Sequence, residues 1–393
     1  MSHAVLSPSS ASRWLSCTPS ARLEMQFPDK AGDFALEGSL AHEFGELRLK
    51  RYSNIIDEPE WNKKTSELME NRFYSESLEE YAENYAAFVW EKYQLAQKTT
   101  ADAVLRIEEK IDLTAYVPEG FGTGDAVILA DGTMEIIDLK YGKGVQVSAV
   151  ENKQMMLYAL GALDMFGFMY AIHTVRMTIY QPRLDNISEW EIPAEELLIW
   201  GANELAPRAK MAFAGEGSFV PGKHCQFCRA KAQCRALAEK NLETAKHEFD
   251  DASLLSDTEI SKVLEQMDII KNWMSAIEEY ALQAALNGKT FPGFKLVEGR
   301  SIRKYVDEKQ VADRLMENGY KESAIYEPPK LKTITAMEKL VTKKAFTALL
   351  GDLIIKPQGK PTLVPESDKR REWNSVENDF KNCLLYTSDA AAD

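Results

Sequence analysis

Histidine and cysteine are scarce in this chain, with five of each in 393 residues, and positive charge is in deficit, 47 Lys and Arg against 61 Asp and Glu. A formal net charge of −14 excludes a protein that coats nucleic acid with its whole surface, because affinity for phosphate comes from local lysine and arginine. One basic groove would still suffice, and Lys140, Lys143, Arg176 and Arg183 are candidates for it, though a solvated face is the default for exposed lysines. A secretory signal is missing: Met1 to Ser20 has no basic start followed by an apolar core. The cysteines therefore read as those of a reducing compartment, and the expected location is the cytoplasm. The longest apolar run, Met155 to Ile172, carries Asp164 at its middle and is interrupted by Gly161 and Gly167. It reads as a buried helix of an α/β domain, and no membrane partner is expected. Internal repeats are also absent.

The few cysteines are unevenly placed. Cys17 stands near the start, and Cys225, Cys228 and Cys234 close a Cys-x2-Cys-x5-Cys trio. Four thiolates would complete the ligand set of one Fe–S cluster or one structural zinc. With Cys17 as fourth ligand, a metal centre would tie the beginning of a domain to its end. The alternative is a zinc knuckle in which His224 is the fourth ligand and Cys17 is a buried thiol.

Between these points the chain alternates like a strand meander. Leu105 to Leu113 reads as a first strand, Phe121 to Leu129 as a second, and Thr133 to Tyr141 as a third after an Asp131-Gly132 hairpin turn. Asp138 and Lys140 are two apart and share a strand face, and Asp125 lies on the neighbouring strand. Two carboxylates converging with a lysine suit metal-assisted phosphodiester hydrolysis: carboxylates hold a hard cation, and the lysine serves the water or the developing phosphate charge. Glu109 on the first strand is an acidic neighbour without an assigned role. Asp307-Glu308-Lys309 repeats the spacing, but in a polar stretch with no hairpin before it, and is assigned to a solvated surface. Upstream, Gly38 to Leu47 reads as a helix with His42 and Glu46 one turn apart; downstream, Asn152 to Leu160 carries Gln154 and Tyr158 at the same spacing. A further strand is expected at Thr174–Arg183.

These residues, taken with Ser12-Arg13-Trp14-Leu15-Ser16-Cys17, resemble the RecB-type PD-(D/E)xK nucleases in their iron–sulfur subgroup, which includes AddB-type helicase–nuclease subunits and a CRISPR-associated nuclease. The resemblance covers roughly residues 10–240. Beyond it, Phe291 to Arg300 and Pro361 to Asp368 resemble phrases of a phage-encoded group of such nucleases. The resemblance implies an α/β, restriction-endonuclease-like core of helix, three-strand meander, helix and strand. It implies that His42, Asp125 and Asp138, with the Leu139 carbonyl, bind Mg²⁺ or Mn²⁺. Lys140 would be the catalytic lysine, Gln154 and Tyr158 would support it and the DNA backbone, and Glu46 would be the acidic residue of the first motif. Cys17, Cys225, Cys228 and Cys234 would hold a structural 4Fe–4S cluster, with zinc as the alternative.

The expected activity is that of an exonuclease-like deoxyribonuclease in phage or bacterial recombination and repair. Expected partners are DNA and a phage recombination partner such as a single-strand-binding or annealing protein, in the host cytoplasm. Against it stand a zinc-stapled nucleic-acid-binding module without catalysis and a scaffold protein. The expected organisation is a nuclease domain over 1–245, a mainly helical region over 246–380 and a disordered tail over 381–393. Ser77 to Gln97 is expected as a long amphipathic helix and 195–215 as helical. In the C-terminal region Ser256 to Asn287 is expected as one capped helix, followed by a strand at 294–298, helices near 308–318 and over Thr335 to Leu350, and a proline-rich loop from Pro357.

Overall fold

The structure is a computed structural model that describes residues 4–28, 32–245, 256–297, 308–317 and 353. The chain divides into two compact units, Met1–Ile302 and Arg303–Asp393. Of the second unit one helix is described, Glu308–Glu317. The expected helix over Thr335 to Leu350, the proline-rich loop and the tail over 381–393 lie outside the described residues.

The first unit is a mixed α/β fold with a central five-stranded sheet flanked by helices. Its strands are β1 (Val104–Asp112), β2 (Phe121–Ala130), β3 (Thr133–Leu139), β4 (Thr174–Gln181) and β5 (Asn186–Pro193), hydrogen-bonded in that order. β1, β2 and β3 form an antiparallel meander. β4 runs parallel to β3, and β5 returns antiparallel at the edge. The return was not anticipated, because Asp185, with φ 47°, turns the chain back within a few residues of β4. The β3-to-β4 connection carries a helix, as a parallel crossover requires.

The helices of this unit are α1 (Ala11–Ser16), α2 (Ser20–Glu24), α3 (Asp33–Tyr52), α4 (Glu58–Met69), α5 (Glu76–Thr99), α6 (Lys153–Phe166), α7 (Ala194–Trp200), α8 (Ala206–Ala214), α9 (Arg235–Ala245) and α10 (Asp257–Leu286). Two apolar clusters sandwich the sheet. On one face Val127, Leu129, Met134 and Ile136 pack with α6 (Met155, Leu157, Ala159) and with Trp14 of α1. On the other, Ala126, Ile128, Ile137 and Leu139 pack with Phe44 of α3 and with Tyr85 and Val89 of α5. Strands buried on both faces read as continuous apolar runs, which is why Ala126–Ala130 shows no alternation.

α5 is docked by charge as well as by apolar surface. Glu135 of β3 is buried, accepts from Thr178 Oγ1 at 2.8 Å, and lies 3.4 Å from both Lys92 of α5 and Arg176 of β4. Arg176 also pairs with Glu191 at 2.5 Å. α10 opens on a capping box, Ser256 with Glu259, as its sequence leads one to expect. The expected strand at 294–298 is corrected over its described part: residues 294–297 carry no strand, and Phe294 is 85% exposed with no ladder to join.

Candidate metal centre

The site forms where β3 parts from β2. Their ladder ends at Ala126↔Ile137, so the next pair outward is Asp125 opposite Asp138. There the side chain replaces the backbone: Asp125 Oδ2 accepts from the Leu139 N–H at 2.7 Å. On the other side, β1 and β2 keep one register through Ile107↔Ala126 and Glu109↔Gly124, which sets Glu108 opposite Asp125. Glu108, Asp125 and Asp138 thus form a row of carboxylates across three strands, and directly opposed residues share a sheet face.

Glu108 sits at a break in the pleat. Leu105 and Ile107 pack with the α3/α5 layer, whereas Ile111, of the same parity, packs with the α6 layer. The alternation must reverse between them, and Glu108 has a left-handed φ of 48°. Such backbone is uncommon for a residue with a side chain and collects at functional sites. The sequence offers Glu109 as an acidic neighbour on this strand; the carboxylate beside His42 and Asp125 is Glu108.

From the helix layer α3 delivers His42, whose Nδ1 lies 3.2 Å from Asp125 Oδ2. Ligand atoms of His42, Glu108 and Asp125 all lie within 4.8 Å of one another, the group among the described residues able to hold a metal ion. Asp138 stands next to it. Lys140 Nζ is 2.8 Å from Asp138 Oδ2 and donates to Gln154 Oε1 at 2.9 Å. Gln154 Nε2 in turn donates to Asp138 Oδ1 and to the Tyr158 hydroxyl, both at 3.2 Å. Asp138 Oδ2 thus faces the Lys140 ammonium and Oδ1 the Gln154 amide.

The local sequence explains this placement. Asn152 caps α6 by accepting from the N–H groups of Gln154 and Met155, which fixes Gln154 in the first turn and Tyr158 one turn on. Gly122 makes room for that ring: a Cβ there would lie 2.7 Å from Tyr158 Cε1. Glu46 pairs with Lys50 one turn along α3, and the charges of both act on Glu108.

The charges are unevenly held. Burial pushes Glu108 up to about 8, assisted by Asp125 and opposed by His42. Burial works against charge on His42, but Asp125 at its side, with Asp138 and Glu108, lifts it to about 9. Asp125 is held below its usual range: burial raises it, and His42, the Leu139 N–H and Lys140 more than offset that. Asp138 is raised, by burial first and by Asp125, against the pull of Lys140.

The cysteine expectation is corrected. The cation-ligating group is of nitrogen and oxygen donors, His42, Glu108 and Asp125, and the sulfurs of Cys17, Cys225, Cys228 and Cys234 do not assemble into such a group. All four are free thiols lining one small cavity. Burial raises Cys17 and Cys225, and lifts Cys228 to about 12, so they stay protonated. Cys225 Sγ is occupied as an acceptor from the Gly222 N–H at 3.4 Å. The zinc alternative falls with it, because His224 and the three downstream cysteines form no such group either; His224 Nε2 donates to the Val220 carbonyl at 2.9 Å.

The tie expected of a cluster is made by polar contacts instead. Buried Glu24 takes Arg13 at 2.8 Å and the Arg229 N–H at 2.7 Å, and Arg208 donates to the Leu15 carbonyl at 2.8 Å. A nuclease carrying a structural 4Fe–4S cluster, and equally a zinc-stapled module, are therefore replaced by a protein with, among the described residues, one His/Glu/Asp group able to hold a cation.

Fold and site together define a mixed α/β protein with a triad able to hold a metal ion at the open end of its meander. No helix among the described residues is long and apolar enough to cross a membrane. The family described as "Protein of unknown function (DUF2800)" matches residues 3–371, and the chain belongs to it. Among solved structures it is similar to that described as "Crystal structure of SSO0001", with 17% identity and a TM-score of 0.21, over 50% of this chain and 85% of that one.

Proposed function

We propose that the protein is a Mg²⁺- or Mn²⁺-dependent deoxyribonuclease with a PD-(D/E)xK-type core. One observation carries the reading: a His42/Glu108/Asp125 triad lies beside an Asp138–Lys140 ion pair that Gln154 holds from both ends. The order of motifs, from His42 through Asp125 and Asp138-x-Lys140 to Gln154 and Tyr158, supports it through the resemblance to RecB-type nucleases; the iron–sulfur part of that resemblance does not carry over.

The donor set suits a divalent cation. Two carboxylates favour Mg²⁺ or Mn²⁺, and an imidazole among them tilts the choice to Mn²⁺. His42, Glu108 and Asp125 would hold it, with Asp138 next to them across the strand pair. A cation there would lower the pKa of a bound water and polarise a phosphoryl oxygen. The chain's own groups do the rest. Asp138 and Gln154 fix the Lys140 ammonium, which neutralises charge developing on the phosphate. Tyr158, anchored through Gln154, lines the approach. His42, with a side chain one-third exposed, keeps the site open to a strand.

The test is cleavage of end-labelled linear and circular DNA with Mn²⁺ or with a chelator, by the wild type and Asp138→Asn. Mn²⁺-dependent cleavage lost in the variant is the expected result. Intact DNA with the wild type in Mn²⁺ and Mg²⁺, or an active Asp138→Asn, overturns the assignment.

A further inference from the structure

The segment that leaves β3 after Lys140 has no role in the triad, yet it is unusually well built. Gly142, Lys143, Gly144, Val145 and Gln146 are all exposed. Beneath them two side chains, Gln181 and Asn186, 1% and 8% exposed, clamp the loop. Gln181 Nε2 donates to the carbonyls of Gly142 at 2.7 Å and Val145 at 2.9 Å, and its Oε1 accepts from the Val147 N–H at 3.1 Å. Asn186 donates to the Val147 carbonyl at 2.8 Å and accepts from Gln146 at 2.9 Å. Ser188 takes the Ala149 N–H at 2.9 Å. An exposed loop is thus held from below as firmly as a strand.

Neither glycine is explained from within the molecule. A Cβ at Gly142 or Gly144 would meet nothing within 4 Å, and neither has a positive φ. The remaining reason for glycine is close approach of something outside to the backbone. Lys143, between them, supplies the charge. Of the four basic residues the sequence offers for a groove, Lys140 is spent on Asp138, Arg176 on Glu135 and Glu191, and Arg183 on Glu37. Lys143 alone of the four has no partner among the described residues. It follows Lys140 by three residues, so their Cα atoms are at most about 11 Å apart. That span is within reach of neighbouring phosphates of one strand.

We propose that the loop Gly142–Val147 is a phosphate-binding subsite: Lys143 takes a backbone phosphate close along the strand to the one at the metal centre, and the two glycines let the strand lie against the loop. This rests on the deoxyribonuclease reading and names where that substrate is gripped. In a chain with a net charge of −14, a clamped free lysine beside the carboxylate row offsets repulsion of the incoming polyanion.

The test is fluorescence anisotropy of a short labelled DNA across a salt series, with Ca²⁺ in place of Mn²⁺ so that the strand stays whole. Mn²⁺ binding, followed by tryptophan fluorescence, reports the metal centre separately. Lys143→Ala is expected to weaken DNA binding by roughly three- to tenfold and to lower the salt slope by about one, the mark of one lost phosphate contact. Lys143→Arg should restore both, and Gly144→Val should weaken binding, with Mn²⁺ titrations unchanged throughout. An unchanged affinity and slope in Lys143→Ala overturns the subsite and leaves the nuclease reading standing. A wild type that binds no DNA overturns both.

Discussion

Replacing Glu108 by Gln should make the metal-free protein more stable while destroying its response to metal. Burial and the facing Asp125 raise Glu108 from an ordinary 4.5 to about 8. At pH 7 the folded protein therefore keeps this carboxyl protonated, while the unfolded chain ionises it. The direction is the reverse of the usual salt-bridged acid. No cost exists well below pH 4.5; it grows as pH rises and levels off above about 8. At roughly 1.36 kcal/mol per pH unit, the gap from 4.5 to 7 amounts to about 3 kcal/mol, and about 2 after allowance for partial exposure. Glutamine never pays it, and it fits the same strand with the same left-handed backbone. Urea denaturation in a chelator should thus show Glu108→Gln with a midpoint higher by roughly 0.5–1 M at pH 7, a gain that shrinks to near nothing at pH 4.5. With saturating Mn²⁺ the order should invert: the wild type gains about 2.7 kcal/mol at a hundredfold excess over Kd, and the variant gains little. A variant less stable than the wild type in chelator at pH 7, or one with a full Mn²⁺ response, would refute both the crowding and the ligand role.

Three further outcomes are expected. Lys140→Ala should cut DNA cleavage by roughly 10²–10³ and leave Mn²⁺ affinity within a few-fold, since the lysine serves the phosphate and not the cation; single-turnover rates beside metal titrations decide it. Tyr85→Phe should cost nothing and gain up to about 1 kcal/mol in urea, because the hydroxyl is fully buried without a hydrogen-bond partner; a clear loss of stability would mean the hydroxyl is bonded. Glu24→Gln should cost about 1–3 kcal/mol with Mn²⁺ titrations unchanged, because Glu24 takes both Arg13 and the Arg229 N–H where the two ends of the domain meet.

How far the sequence could be read depends on what kind of regularity each part obeys. The meander, the crossover helix and the strand after it follow local rules, apolar runs bounded by turns, a hairpin turn at Asp131-Gly132 and an Asn152 cap, so they were legible as elements. So were Asp125, Asp138, Lys140, Gln154 and Tyr158 as neighbours, since strand register and one helical turn bring them together. β5 was not, although Glu189-Trp190-Glu191-Ile192 alternates and its burial alternates residue by residue: the segment is short, begins with Asn186 and ends at Pro193, and pairing with β4 fixes it as the edge strand. Neither was the docking of α5 through Lys92 and Glu135, which joins residues far apart in the chain.

Glu108 and the cysteines fail for opposite reasons. Two adjacent glutamates on β1 look equivalent in the sequence; one residue in left-handed conformation reverses the pleat and turns Glu108 to Asp125. The exception to the regular rule is where the site is built, and exceptions of that kind carry no periodic signature. The cysteines show the converse, a spacing regular enough to suggest a ligand set. What decides the matter there is three-dimensional: Cys225 accepts from its own turn, burial lifts Cys228, and the ends of the domain are joined through Glu24. Spacing along the chain brings donor groups into one neighbourhood; only the backbone direction and the local hydrogen bonds at each donor make them a site.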